Sequence, residues 1–416
     1  MRAHRRQLPL LPMPRSLQLT HGLPTAHPAP SIAFLSKGFR PFFLLAGLFA
    51  VVIVPLWLLV LSGVIPSSSY LDPVTLHAHE MVFGFVVAVL AGFLLTAVAN
   101  WTNRETATGL PLLGLALLWM AGRAVMLLPL ALPQKLTAVV DLAFLPVLIA
   151  VLARPLIAAR SRRNFVMLGI LASLLAANVV VHSAALGLLA AETARRACVV
   201  ALDLVALVTM IIAGRVFPMF TRNATGVQSI RSVPWLDGAA IGATAAATVS
   251  ECVQPGSVTT GLLFVVAGAL AAVRSLHWGA LRSLREPLLW ILHAGYAWLC
   301  LGLVFKGLAL LGSPGLASLA AHALTVGAIG GLTLGMMARV ALGHTGRMLV
   351  SPAPMVGAFV AINLAAFCRA VVPLLLPGHY FIALVAAGSF WLVAFAVFAV
   401  VYAPILLSPR VDGRPG

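Results

Sequence analysis

Two histidines and a glutamate stand at the head of an otherwise uncharged run. Residues 71–95 read LDPVTLHAHEMVFGFVVAVLAGFLL, and His77, His79 and Glu80 are its only ionisable groups beyond Asp72. Imidazole is a common ligand for haem iron, copper and zinc, and a ligating histidine wants a carboxylate or carbonyl on its other ring nitrogen. On a regular helix His77, Glu80, Met81 and Gly84 fall at i, i+3, i+4 and i+7 and share one face. Met81 offers a soft thioether suited to haem iron or Cu(I) as well as to ordinary packing. Gly84 lets a flat macrocycle or a second helix approach closely. His79 points about 160° away from His77, so the two have separate roles unless the helix entry at Asp72-Pro73 is irregular.

The elements that must hold these groups follow from composition. Of 416 residues 61% are hydrophobic and only 9% charged, with a mean hydropathy of +1.05; soluble domains carry roughly 25% charged residues. Uncharged stretches of about 20 residues match the thickness of a bilayer crossed as a helix. Twelve such spans are predicted, near 39–64, 75–99, 110–130, 135–157, 164–190, 197–215, 234–251, 258–274, 287–311, 316–340, 353–376 and 379–407. They are too long and too rich in Leu and Ala for barrel strands. The expected fold is an all-α polytopic membrane bundle of about 12 transmembrane helices, occupying 37–408 as one domain. Residues 1–36 read as a flexible Pro-rich tail without the apolar core of a signal peptide, and 409–416 as a second tail.

The formal charge of +17 and pI near 11.4 would ordinarily suggest nucleic acid, but here the cations follow topology. With both termini in the cytoplasm, 21 Lys and Arg fall on the inner side, against Lys135, Arg195 and Arg196 outside. This is the positive-inside rule in strong form, and it supports twelve spans with both termini inside. Anionic lipid headgroups are sufficient partners for the basic loops, so no nucleic-acid partner is needed. Cys198, Cys252, Cys300 and Cys368 show no CxxC spacing and read as small apolar residues.

Six charges remain inside spans: Arg123, Lys306 and Arg369, with Glu80, Asp141 and Asp203. The topology puts all six in the outer half. An ion at mid-bilayer costs several kcal/mol, which predicts one mutually compensating polar chamber. His77, His79, His182, His322 and His379 are expected at the same depth, with Glu80, Asp141 and Asp203 available to support ligating imidazoles. His293 lies on the inner side of the ninth span, and His277 and His344 on the inner surface.

Four segments carry a family resemblance: KGFRPFFLLAGLFA (37–50), HAHEMVFGFVVAVLAGFLLTAVANWT (77–102), GRVFPMFTRNATG (214–226) and HALTVGAIGGLTLGMMARVALGHTGR (322–347). Through them the chain resembles the NnrS family over nearly its whole length beyond the tail. The resemblance implies an inner-membrane protein containing haem and copper, associated with nitric oxide metabolism, denitrification or nitrosative stress. It implies nitric oxide or a related small molecule and a redox partner as interactants, and it assigns no ligand.

The ends of the second, sixth and tenth spans also resemble one another, with Thr102, Thr221 and Thr345 spaced 119 and 124 residues apart. Three four-helix repeats of this kind are similar to haem-copper oxidase core subunits. Transferred by position, that likeness nominates His322 with either His77 or His79 as axial haem ligands, and Arg123 or Arg369 as partners of the propionates. His182 and Met81 are further metal candidates. The sixth span carries Asp203 and no histidine, so the oxidase copper centre and proton pumping are not implied. At the inner ends, Arg215, Arg222, Arg339 and Arg347 suit helix C-termini, with Met219 or His344 as a less favoured entry point for metal. The spacing of Gly327, Gly331 and Gly335 suits helix packing. A second reading is a secondary transporter that binds substrate through its intramembrane charges; confinement of the charges to one half counts against it.

Overall fold

The structure is a computed structural model and describes residues 32–66 and 70–414. Most of the expected N-terminal tail, residues 1–31, lies outside the described residues, as do 415 and 416. Among the described residues there are helices and no strands.

Twelve long helices follow one another: α1 Phe39–Leu61, α2 Pro73–Thr102, α3 Gly109–Leu127, α4 Gln134–Ala158, α5 Arg162–Ala185, α6 Glu192–Thr225, α7 Pro234–Val253, α8 Val258–Trp278, α9 Pro287–Leu310, α10 Pro314–His344, α11 Ala353–Leu375 and α12 Pro377–Leu407. Eleven are long and apolar enough to cross a membrane. The exception, α7, has the right length, but Asp237, Glu251 and several Thr and Ser residues dilute its apolarity. The all-α polytopic bundle is therefore as expected, and this is a multi-pass membrane protein. The largest boundary difference is α6, expected over 197–215 and found to be 34 residues long. Its extra turns carry Glu192 and Arg196 at one end and Arg222 at the other, charges that are compatible with a helix but invisible to a hydropathy pattern.

Local chemistry sets the helix ends. Asp72 caps α2: its Oδ1 accepts from the Val74 and Thr75 amides at 3.1 and 3.2 Å, and Pro73 takes the first position, where no amide hydrogen is needed. Asn103 (φ 50°) and Gly226 (φ 71°) close α2 and α6 in the left-handed conformation. Outward faces carry exposed Val52, Leu117, Val266, Leu301 and Val393, the surface that lipid tails require.

Three helices form the interior. In their most apolar stretches α2, α10 and α6 are 89%, 67% and 61% buried, against 28% for α1. Between them lies an apolar cavity of about 80 Å3, walled by Leu90 and Phe93 of α2, Val208 and Ile212 of α6, and Leu332 and Met336 of α10. Each inner helix also ends alike: Thr102, Thr221 and Thr345 donate from Oγ1 to the carbonyl four residues back, Val98, Phe217 and Ala341, at 2.7, 2.9 and 2.7 Å. Gly327 and Gly335 of α10 pack against Trp298 and Ile291 of α9, the close contact their spacing suggested. The circuit closes where α12 packs on α1. There Arg40 Nη1 donates to the Leu406 and Ser408 carbonyls at 2.9 and 2.6 Å.

Candidate functional site

His77 and His79, two residues apart on α2, enter different compartments. His77 stacks on Trp57 of α1, with ring centroids 4.5 Å apart and planes 15° from parallel. It lies within electrostatic reach of Arg369 on α11 and of His322 on α10. His322 Nδ1 meets the Ser318 carbonyl at 2.6 Å. A carbonyl only accepts, so Nδ1 carries the hydrogen and Nε2 keeps its lone pair. The Ser318 hydroxyl accepts from Arg369 Nη2 at 3.1 Å, and the same Nη2 reaches Tyr380 Oη at 3.1 Å. Arg369 is buried with Nε and Nη1 unpartnered, and His77 Nδ1 is likewise buried without a partner. Two half-buried imidazoles and a guanidinium with spare donors thus come near one another where α1, α2, α10 and α11 meet.

His79 turns the other way, into a dry network. Its Nδ1 meets Glu80 Oε1 at 2.9 Å, and its Nε2 meets Asn178 Oδ1 at 2.9 Å and Asp141 Oδ2 at 3.3 Å. Asp141 Oδ2 also accepts from His182 Nε2 and Asn178 Nδ2, both at 2.9 Å, and Asp141 Oδ1 accepts from Arg123. Arg123 Nη1 forks onto both Glu80 oxygens at 2.7 Å. Tyr70 Oη stands 2.7 Å from His182 Nδ1. His79, Glu80, Asp141, Asn178 and His182 are all buried, and their neighbours leave a void of only about 10 Å3 beside Arg123 and Asp141, room for one water or one ion.

Hydrogen bonding fixes the charge of this network. Both oxygens nearest His79 are acceptors, so both ring nitrogens carry hydrogens and the ring is an imidazolium. With Arg123 it balances Glu80 and Asp141. With His79 neutral the network would hold one excess negative charge in a low-dielectric interior, which is costly. The site therefore requires one extra positive charge, here a proton. One atom each of His79, Asp141 and His182 lie within 4.8 Å of one another, so the same place can take a metal ion.

A backbone irregularity makes the arrangement possible. Residues Glu80–Val86 form a π-helical turn, and Ala323–Gly330 of α10 form another, directly after His79 and His322. Such turns widen the helix and gather at functional sites. Glu80, expected to share a face with His77, consequently reaches His79 and Arg123. Trp119 Nε1 donates to the Gly84 carbonyl at 3.1 Å. A Cβ on Gly84 would lie 2.8 Å from the Phe49 ring and 3.1 Å from Arg123 Nη1, so the glycine admits an aromatic ring and an arginine.

The remaining pair, Lys306 and Asp203, is separate again. Lys306 Nζ lies 2.7 and 2.6 Å from the two Asp203 oxygens and 4.2 Å from the Phe264 ring centroid. The expected single chamber is thus corrected to three compartments. A side chain spans only a few ångströms, so each ion settles with the helix packed beside it. Arg123 is held by Glu80 and Asp141 and is not directed at His322. Asp203 supports no histidine. Asp141 converges with His79 and His182 instead of standing behind them. Met81 packs against the core, and His379 is exposed at the head of α12. On the opposite end Arg222 reaches the Ile230 carbonyl at 3.4 Å, Arg339 lies over Phe220 at 4.1 Å, and His344 packs on Phe39.

Tyr70, Asn178, Ser318 and Trp57 escaped the sequence reading. Two of them left a signal: Asn178 with His182, and Ser318 with His322, are i, i+4 pairs of polar residues on otherwise apolar helix faces. Against known proteins, the family model described as NnrS protein matches residues 33–410. Comparison with the curated proteins gives no match.

Proposed function

The chain belongs to the NnrS family, and from that premise we propose that it is a haem- and copper-binding protein of the bacterial inner membrane that acts on or protects against nitric oxide. The positive-inside asymmetry supports an orientation with both termini cytoplasmic, which sets the histidine compartments in the periplasmic half.

The observation that carries the reading is the convergence of His79, Asp141 and His182 in a network that needs one positive charge beyond Arg123 to be neutral. The donors suit copper: two imidazoles and a carboxylate, with His79 Nδ1 steadied by Glu80 and His182 Nδ1 by Tyr70. Cu(I) in place of the His79 proton leaves the network neutral. The donors of His77, His322 and Arg369 suit haem. His322 presents an unprotonated Nε2, His77 a partnerless ring nitrogen, and Arg369 two unpartnered donors for a carboxylate. Bound there, the two groups supply redox chemistry and a place for a diatomic ligand. The protein's own residues position the ligands, exclude water and hold the compensating charges. The apolar cavity between the three inner helices suits a neutral gas. The transporter reading is less well supported, because Glu80, Asp141 and Asp203 are already paired with cations.

Purified full-length protein tests the proposal. A Soret band that shifts with nitric oxide, together with about one copper per chain, is the expected result. A colourless, metal-free preparation that carries solute flux in vesicles would overturn it.

A further inference from the structure

At the opposite end of the bundle from the histidines, α2, α5, α6, α7 and α8 enclose a groove of about 640 Å3. Three arginines line it: Arg163 at the head of α5, Arg215 on α6 and Arg274 near the end of α8. Asp237 of α7 is the only acid lining it, so the groove carries two net positive charges. Arg274 is the unusual member. Its side chain is 1% exposed, with Nε 2.9 Å from Asp237 Oδ1 and Nη2 donating to the Met210 carbonyl at 3.2 Å, while Nη1 has no partner. The guanidinium also rests on Trp278 at 4.8 Å. A buried guanidinium with an unsatisfied N–H is costly unless a ligand completes it.

The surroundings close tightly on that side chain. Gly214 of α6 lies directly against Arg274 Nη2, and any Cβ there would collide with it. Asp237 is steadied by the Ser232 hydroxyl. Arg215 Nη1 is held by Asn164 Oδ1 at 2.9 Å, which fixes the second cation at the rim. The remaining wall is apolar, with Trp101 and Ile241, and Trp235 on the first turn of α7 is 71% exposed. Indole rings at this level mark the headgroup zone of a membrane. A polar, cationic floor with an apolar wall open toward lipid matches an amphiphile bearing a phosphate.

We propose that this groove binds the phosphate of an anionic phospholipid headgroup, with Arg274 as the buried contact and Arg215 as the rim contact. The site is independent of the haem and copper reading and stands or falls without it. Phosphate–guanidinium pairing is favoured by the fork of donors, and the anionic headgroup supplies the charge that the groove lacks.

The test uses full-length protein, delipidated in neutral detergent and titrated with short-chain phosphatidylglycerol, short-chain phosphatidylcholine or inorganic phosphate, with binding read by native mass spectrometry. Saturable binding of one phosphatidylglycerol, at least about tenfold tighter than phosphatidylcholine, is expected. Arg274→Gln and Arg215→Ala should each weaken it by about tenfold. Arg215→Ala, at the rim, carries the test if the Arg274 variant fails to fold. Equal binding of the two lipids, or unchanged affinity in a folded variant, would refute the proposal. Displacement of the lipid by equimolar inorganic phosphate would assign the groove to a soluble phosphate compound and refute the lipid assignment.

Discussion

His79 and His182, on α2 and α5, turn their Nε2 atoms toward one carboxylate oxygen, Asp141 Oδ2, at 3.3 and 2.9 Å, with ring planes 84° apart. Two perpendicular imidazoles on a shared acceptor make Asp141 the pivot of the network. Asp141→Asn keeps the shape and removes the charge that calls for an extra cation. We expect copper per chain to fall at least tenfold by elemental analysis, while the haem spectrum stays as in wild type. Asp141→Ala also takes the buried acceptor away from Arg123 Nη2, His79 and His182 and should cost about 3–5 kcal/mol of stability, read as a lower melting temperature than for Asp141→Asn. Unchanged copper in the Asn variant would rule out the triad as the copper site.

His322→Ala should abolish or strongly shift the Soret band and leave copper in place, because Arg123, Asp141 and His182 are untouched. His77→Ala should act in the same direction, whereas His277→Ala, on an exposed surface turn, should leave the spectrum as it was. A His322 variant with full haem content would reject the axial assignment.

The Asp203–Lys306 pair is a structural clamp between α6 and α9. Lys306→Met leaves a buried carboxylate unpaired and should destabilise by about 3–5 kcal/mol. Adding Asp203→Asn should recover more than half of that loss, measured by thermal unfolding in detergent. An additive double mutant would show that the two residues do not act together.

Gly84→Ala places a methyl 2.8 Å from Phe49 and 3.1 Å from Arg123 Nη1. We expect a cost of about 1–3 kcal/mol and reduced copper, since Arg123 can no longer reach Glu80 and Asp141 together. Wild-type stability and copper would show that the π turn absorbs the methyl.

Asp72 anchors the entry of the helix that carries both histidines. Burial pushes its carboxyl up, but the Thr75 hydroxyl and amide, Arg195 and the Val74 amide outweigh that and hold it below its usual 3.8. A lowered folded value means that the cap contributes fully above pH 3.8 and is lost as pH falls through the folded value. Asp72→Ala should cost about 1 kcal/mol at neutral pH, and the gap from wild type should close under acid. A gap independent of pH would mean that the carboxylate is not the cap.

The amino-acid sequence made the membrane bundle legible because bilayer thickness and the cost of charge leave long apolar runs and a cation asymmetry. It also singled out the six intramembrane charges, of which Glu80, Arg123 and Asp141 share one network and Asp203 and Lys306 form a separate pair. It did not show which of them meet. His77 and His79 were expected on different faces, and they do part. Glu80 was expected on the His77 face and instead meets His79 and Arg123, because a 3.6-residue period carries no mark of the π turn that begins at that residue. Asn178 and Ser318 each stood four residues from a histidine. Neutral side chains that orient a ring leave a weaker trace than charges do, so both went unread.

The Arg40 clasp on the carbonyls of Leu406 and Ser408 leaves the molecule without a seam, since α1 and α12 are neighbours like any other consecutive pair. The order in which the chain visits its helices is then a matter of linkage rather than of packing. A circular permutant that joins residues 414 and 32 through a short linker, and opens within 227–233, keeps the packing between the twelve long helices. It should fold to the same bundle.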